Sequence, residues 1–286
     1  MTYETPASLR QALDDRIMNH AREVGIDPQR LRRRVAFERL ILRLEHSHPG
    51  LWILKGGMAL EVRLEHRARA TRDVDLAIRD DLPDGTTLRE KLITCLSADP
   101  EGDGFVFVVG APTAMSPDEA GRQGWRFSVE AHLAGRQFAS IRVDVVARPE
   151  EISGTERISI PTMLDFAHFS PFTIEVVDRR QHFAEKLHAL TRTYPDRPNT
   201  RVRDLADLLL LIHDGLIPDL TLRMAVEHVF STRNTHDVPV ELPDPPPRWR
   251  DEYATLAADL ELEEQTVDEA MSTLRTFWSQ VLDATE

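Results

Sequence analysis

Two carboxylates one residue apart are the first side chains in this sequence that could do chemistry. Asp73 and Asp75 alternate with Val74 and Leu76 in the short run DVDLAI. Because successive side chains of a strand point to opposite faces, both carboxylates are expected on one face while the apolar pair faces the core. Mg²⁺ prefers carboxylate and phosphate oxygens as ligands, so this spacing predicts a metal site. Solvated or capping aspartates at a strand end are the alternative interpretation.

A third carboxylate lies in a later apolar run, IRVDVV, where Asp144 stands between two valines. A charged side chain inside such a run is costly unless it has a partner. Two metal ions held by carboxylates can stabilise the attacking and the leaving oxygen of a phosphoryl transfer. We therefore predict that Asp144 joins Asp73 and Asp75 as a metal ligand.

A glycine pair, Gly56 and Gly57, separates the apolar run LWIL from the helix-like MALEVRLEH. Glycine lets the backbone approach a bulky anion, and a helix that begins there offers free N–H groups and the positive end of its dipole. The pair alone is more often just an ordinary turn. In the order strand, Gly-Gly, helix, Asp-x-Asp strand and later Asp strand, it favours a phosphate-binding turn, with Lys55 beside it.

The periodicity of the remaining chain indicates which elements position these residues. Two helical patterns precede the glycine pair, the second opened by Asp27-Pro28 and closed by Pro49-Gly50. Short alternating runs such as GFVFVVG, WRFSVEAHL and ASIRVDVVA predict strands. After Pro161 the patterns are helical. The sequence predicts an α/β domain over residues 1–157 and a helical C-terminal domain over residues 158–286.

Bulk composition excludes several classes of protein. With 286 residues, 41% apolar and 29% charged, the chain is expected to be globular. No apolar run approaches the roughly 20 residues of a membrane span, and the N-terminus lacks the layout of a signal peptide, so a cytoplasmic protein without membrane association is expected. Cys95 is the only cysteine, which excludes an internal disulfide and a cysteine-based zinc site.

The charge is distributed unevenly along the chain. The net charge is −13, yet residues 29–43 carry six arginines against one glutamate, and residues 63–72 carry four against one. Residues 214–286 hold sixteen acids and five bases. Phosphate backbones are bound largely by Lys and Arg, so the two basic segments could contact RNA, as could the loop TRTYPDRPNTR. Solvated helix faces are the alternative.

Five motifs together resemble the AbiEii/AbiGii toxin family, the nucleotidyltransferase-fold toxins of type IV toxin–antitoxin systems. They are LKGGMAL at 54–60, RATRDVDLAI at 69–78, RVDVV at 142–146, FAEKLHAL at 183–190 and RVRDLADLL at 201–209. The resemblance implies an α+β fold, a mixed sheet with flanking helices followed by a helical C-terminal domain. It implies an enzyme that uses Mg²⁺ or Mn²⁺ to transfer nucleotides from a nucleoside triphosphate, with tRNA as acceptor and a cognate antitoxin as partner.

The resemblance also implies roles for residues in both halves. Asp73 and Asp75 would be the catalytic metal ligands, and Lys186 and Asp204 would be the second catalytic pair. Considered alone, Lys186 is more typical of a surface lysine on a helix flank, and Asp204 of a carboxylate favoured by the helix dipole in a first turn. Asp207 follows Arg203 by four residues, which predicts an i,i+4 ion pair.

The sequence departs from the family beside the glycine pair. Relatives commonly carry Ser or Thr there, whose hydroxyl can reach the triphosphate, whereas Met58 occupies the position and cannot donate a hydrogen bond. The residues expected to contact nucleotide or phosphate are Lys55, Gly56, Gly57, Met58 and Arg72.

Two other functions fit the same motifs. The fold also modifies small molecules such as hydroxylated antibiotics, and the acidic C-terminal part could attract a cationic acceptor of that kind. A catalytically retired homologue that only binds nucleotide or protein is the second, and Met58 is its one suggestive feature.

Overall fold

The computed structural model describes residue 3 and residues 5–71, 73–81, 83–116, 123–147, 150–193 and 198–285. Its strands are β1 (Trp52–Lys55), β2 (Asp73–Ile78), β3 (Phe105–Val109), β4 (Thr113–Ala114), β5 (Gly124–Leu133), β6 (Arg136–Ala147), β7 (Thr155–Ile160) and β8 (Phe172–Val177). Its helices are α1 (Pro6–Val24), α2 (Pro28–Ser47), α3 (Gly56–Leu64), α4 (Gly85–Ser97), α5 (Arg179–Thr191), α6 (Val202–His213), α7 (Leu220–Arg233), α8 (Trp249–Asp259) and α9 (Val267–Asp283).

The strands form one mixed sheet in the order β3-β5-β6-β2-β1-β8-β7, and β4 also pairs with β5. β2 is antiparallel to β1 and parallel to β6, and β5 is antiparallel to β6. The predicted mixed sheet with flanking helices and helical C-terminal segments is confirmed. The centre of the sheet therefore places β1, β2, β6 and β5 side by side.

The chain divides into two compact units that do not follow a single cut in the sequence. The first unit, called the sheet unit below, contains Met1–Met58, Ala70–Pro149 and Arg157–Val176. The second, the helical unit, contains Ala59–Arg69, Glu150–Glu156 and Val177–Glu286. The expectation that the chain is helical after Pro161 is wrong for residues 172–177, which form β8. A short run such as FTIEVV does not reveal whether a partner strand is available, and here β1 supplies one.

In the sheet unit, the second helix begins where the sequence predicts, and both of the first two helices have a side-chain cap. Thr5 caps α1 by accepting a hydrogen bond from Ser8 N, and Asp27 caps α2 by accepting one from Gln29 N at 2.9 Å. Each helix has proline in its first turn, where the missing N–H costs nothing.

The helical unit has one apolar core. Helix α9 contributes a stripe of buried residues at helical spacing, Val267, Met271, Leu274, Trp278 and Val281. Thr266 and Glu269 form a capping box that fixes its start. In the described part of the chain, no helix is long and apolar enough to cross a membrane.

Candidate active site

Four charged side chains form a row across the centre of the sheet. Strand register pairs Lys55 with Asp75, Asp75 with Asp144, and Asp144 with Arg126. Directly paired residues point to the same face, so the row reads cation, carboxylate, carboxylate, cation. We call these four residues the charge row.

Asp73 lies on the same face, two residues before Asp75. The intervening Val74 is fully buried, as is Leu76, so the predicted alternation of β2 is present. Asp73 pairs in register with Arg142, whose Nε lies 3.2 Å from Asp73 Oδ1. Asp73, Asp75 and Asp144 are therefore neighbours on two adjacent strands, as the prediction of a shared site requires.

Gly56 has two properties that only glycine combines. Its φ is +61°, and a Cβ built on it would lie 2.0 Å from Asp75 Oδ2. Any side chain would therefore meet both backbone strain and the carboxylate. The anionic group that packs against this turn is the carboxylate of Asp75, a contact that the sequence did not predict.

The other residues of the turn are buried. Lys55 is 5% exposed and Met58 is also 5% exposed, while Gly57 lies in the first turn of α3. Met58 is thus almost completely covered by neighbouring residues at the start of α3. Arg72, the remaining residue expected to contact phosphate, lies outside the described residues.

The carboxylates suit a divalent metal in part. Among the described residues, the buried Asp73 Oδ1 accepts no hydrogen bond of suitable geometry, although the Arg142 guanidinium forms an ion pair with it at 3.2 Å. Asp144 is engaged by Arg126, whose Nε and Nη2 donate to its two oxygens at 2.8 and 2.6 Å. In the described part of the chain, no three His, Cys, Asp or Glu side chains are grouped closely enough to hold one ion. Asp73, Asp75 and Asp144 supply the oxygen ligands that a divalent metal prefers, with Arg142 paired to Asp73 and Arg126 paired to Asp144.

A second cluster lies within the helical unit. Lys186 Nζ contacts Asp204 Oδ1 and Asp207 Oδ2, both at 2.7 Å. Arg69 donates from Nε and Nη2 to the two oxygens of Asp207, each at 2.9 Å. Arg201 Nη1 lies 3.6 Å from Asp204 Oδ2. The structure thus brings together the predicted pair Lys186 and Asp204 and adds Asp207 and Arg69 to them.

This cluster corrects two expectations. Lys186 is 9% exposed rather than a surface lysine, because α6 supplies two carboxylates to it. The fully buried Asp207 pairs with Lys186 and Arg69, so the predicted i,i+4 pair with Arg203 is wrong. A buried cation close in space provides a stronger partner than an exposed arginine one turn away.

Burial and charge act in opposite directions on the pKa values in the cluster. Burial alone would raise the pKa of Asp207, but Lys186 and Arg69 lower it to about 2. Burial would likewise lower the pKa of Lys186, but Asp207 and Asp204 more than offset this and raise it above its ordinary value. Lys186 and Asp207 are therefore charged at neutral pH.

Most of the described arginines in the two basic segments are already paired with acids. In the sheet unit, Arg39 and Arg43 are fully buried against Glu101 and Asp103, and Arg32 binds Asp14. The expectation of an RNA-binding surface is wrong for Arg39 and Arg43, which are buried against carboxylates of a loop, and Arg32 is already paired with Asp14 of α1.

The second basic segment behaves in the same way within the helical unit. Arg63 binds Glu156 at 2.7 Å, and Arg67 binds Asp214 at 2.7 Å. In the loop TRTYPDRPNTR, residues 194–197 lie outside the described residues. Most described arginines of the basic segments therefore form ion pairs within the protein.

Two functional candidates escaped the sequence analysis. Arg126 lies in a predicted strand, but its place opposite Asp144 depends on the pairing register, which one strand does not encode. Arg69 was included in a basic segment and in the motif RATRDVDLAI but was given no role of its own. Its position four residues before Asp73 was the available signal, but its partner Asp207 is distant in sequence.

Comparison with known proteins identifies the family of this chain. The family described as "Nucleotidyl transferase AbiEii toxin, Type IV TA system" matches residues 39–276, most of the chain. The chain belongs to the AbiEii family. This AbiEii protein is a nucleotidyltransferase, the toxin component of a type IV toxin–antitoxin system.

Solved structures with a similar fold include MenT4, a nucleotidyltransferase toxin from Mycobacterium tuberculosis H37Rv. The two are 20% identical, the match covers 95% of this chain and 90% of that one, and the TM-score is 0.59. An antigenic nucleotidyltransferase-like protein from Paracoccidioides brasiliensis matches at 13% identity and a TM-score of 0.42, over 80% of this chain and 92% of that one. No curated protein sequence matches the AbiEii protein.

Proposed function

We propose that this AbiEii protein uses a divalent metal to transfer a nucleotide from a nucleoside triphosphate to the 3′ end of tRNA. The charge row supports the proposal most strongly, because it places Asp75 beside Asp144, with Asp73 on the same face. A retired transferase would have no need to maintain these carboxylates as neighbours, since buried and half-buried charge is costly. Asp73 Oδ1, which accepts no hydrogen bond among the described residues and is ion-paired only to the exposed Arg142 side chain, supports a metal ligand at this place.

Each residue then has a defined task. Asp73 and Asp75 hold Mg²⁺ or Mn²⁺, which supplies charge stabilisation to the triphosphate when bound. Gly56 gives Asp75 room to approach the turn, and the backbone of Gly56 and Gly57 binds phosphate, with Lys55 and Arg72 adding positive charge. The acceptor's hydroxyl oxygen attacks the α-phosphorus, its proton is lost to solvent, and pyrophosphate leaves.

The second cluster is assigned by family resemblance. Lys186 and Asp204 match the family's second conserved pair, and we propose that both are required for the transfer. Despite burial, Asp207 and Asp204 raise the pKa of Lys186 above its ordinary value, so Lys186 stays protonated near neutral pH. A cognate antitoxin is the proposed protein partner.

Incorporation of label into RNA tests the acceptor. The protein is incubated with Mg²⁺, each α-labelled triphosphate and total RNA, and label is expected in bands of tRNA size. RNA oxidised with periodate is the matched control, because it lacks a 3′ diol and should remain unlabelled. Label on a small molecule alone would favour the antibiotic-type alternative, and no label on any acceptor would favour the retired homologue.

Replacement of Met58 by Ser or Thr tests the phosphate turn. We expect triphosphate binding to tighten by about 0.5–1.5 kcal/mol, the net value of one added hydrogen bond. Because Met58 is buried, the free energy of unfolding should fall by about 2 kcal/mol or more in the same variants. Calorimetric titration and chemical denaturation measure the two effects separately. Weaker nucleotide binding in both variants would show that Met58 does not occupy a phosphate-contacting position.

A further inference from the structure

Arg126 is the residue of the charge row to which the proposed reaction gives no task. Its guanidinium binds Asp144 through both nitrogens, at 2.8 and 2.6 Å, and Asp144 is 6% exposed. The hydrogen bond to Asp144 raises the pKa of Arg126, and the negative charges of Asp144, Asp73 and Asp75 act in the same direction. Arg126 therefore interacts electrostatically with all three carboxylates.

A bidentate arginine and a divalent metal both bind to the oxygens of a carboxylate. The guanidinium fork occupies both oxygens of Asp144 in the plane where a cation would bind. A metal ion on Asp73 and Asp75 would also be repelled by the positive charge of Arg126. One of the two cations must yield for Asp144 to become a ligand.

Arg126 is free to move in a way that the structural arginines of the same unit are not. Its side chain is 41% exposed, whereas those of Arg39 and Arg43 are fully buried. An exposed guanidinium can turn into solvent without opening the core, since water replaces its hydrogen bonds.

We propose that Arg126 is a built-in counter-cation of Asp73, Asp75 and Asp144, and that it competes with the divalent metal for Asp144. This inference rests on the proposed metal dependence. In the metal-free protein Arg126 balances the negative charge of the carboxylates and keeps Asp144 hydrogen-bonded across the β5–β6 pair. Metal binding releases Arg126 from Asp144, so the affinity for metal is set partly by this arginine.

Mn²⁺ binding without nucleotide, followed by electron paramagnetic resonance, tests the competition. Arg126→Gln is expected to bind Mn²⁺ about tenfold more tightly than the wild type, the scale of one unit charge removed beside the site. Arg126→Lys keeps the charge but loses the fork, so its affinity should fall between the two. Arg79→Gln is the matched control: Arg79 is in the same unit and binds Glu175, away from the charge row, and its loss should leave the affinity unchanged.

Asp75→Asn locates the site, because it should weaken Mn²⁺ binding in the wild-type and Arg126→Gln backgrounds alike. Equal or weaker Mn²⁺ binding by Arg126→Gln, or an equal gain in Arg79→Gln, would overturn the inference. Failure of the proposed function would give a different result. No variant would transfer label to RNA, while Mn²⁺ affinity would still increase when Arg126 is replaced by Gln.

Discussion

Asp75→Asn is expected to reduce nucleotide transfer by on the order of 10³-fold, the scale on which loss of one electrostatic stabiliser acts in an active site. Asp75 stands at the centre of the charge row, opposite both Lys55 and Asp144, and its Oδ2 reaches the turn at Gly56. Asparagine preserves the size of the side chain but removes its charge, so the fold should be retained. Initial rates of label incorporation at saturating Mg²⁺ measure the effect.

Asp80→Asn is the matched control for this substitution. Asp80 lies just beyond β2 in the same unit, is exposed, and should leave the rate within about twofold of the wild type, as surface substitutions usually do. Transfer by Asp75→Asn at a rate near that of Asp80→Asn would remove Asp75 from the site.

Asp207→Asn is expected to have the largest effect on stability, lowering the free energy of unfolding by about 3–5 kcal/mol. The substitution removes the carboxylate that the buried Lys186 and the partly buried Arg69 share, and leaves Asp204 as the remaining acid on Lys186. Urea denaturation measures the loss. Asp259→Asn, an exposed carboxylate of the same unit, should change it by less than about 0.5 kcal/mol, and equal losses in the two variants would contradict the buried cluster.

The pH dependence of stability provides a second readout of Asp207. Because its pKa is about 2 in the folded protein and 3.8 ordinarily, its contribution is present above about pH 4 and is lost as the pH falls toward 2. That contribution is about 2 kcal/mol. Asp207→Asn should therefore flatten the acid limb of the stability curve, and parallel curves for wild type and variant would count against the lowered pKa.

Local sequence pattern predicted the carboxylate strands well. The alternation of Asp73 and Asp75 with buried apolar residues requires only the two-residue period of a strand, which any sequence shows directly. Asp144 followed from the cost of placing a charge in an apolar run. The mixed sheet followed from the family motifs rather than from any single strand.

The partners of these residues could not be predicted, because they depend on contacts between distant segments. Arg126 reaches Asp144 only through the β5–β6 register, and Asp207 meets Arg69 across 138 residues of sequence. The same dependence misled the interpretation of the basic segments, since Arg39 and Arg43 find acids about 60 residues away. Charge counts along a chain do not distinguish an exposed cation from a buried ion pair.

The fate of the two ends of the triphosphate tests the central claim most directly. Parallel reactions with tRNA and Mg²⁺ use the same triphosphate labelled at the α- or the γ-phosphate. If the protein transfers a nucleotide to tRNA, α-label enters tRNA and γ-label is recovered as pyrophosphate in equal amount. Asp75→Asn is expected to abolish both. Transfer of γ-label to tRNA, or release of γ-label without incorporation of α-label, would contradict this claim.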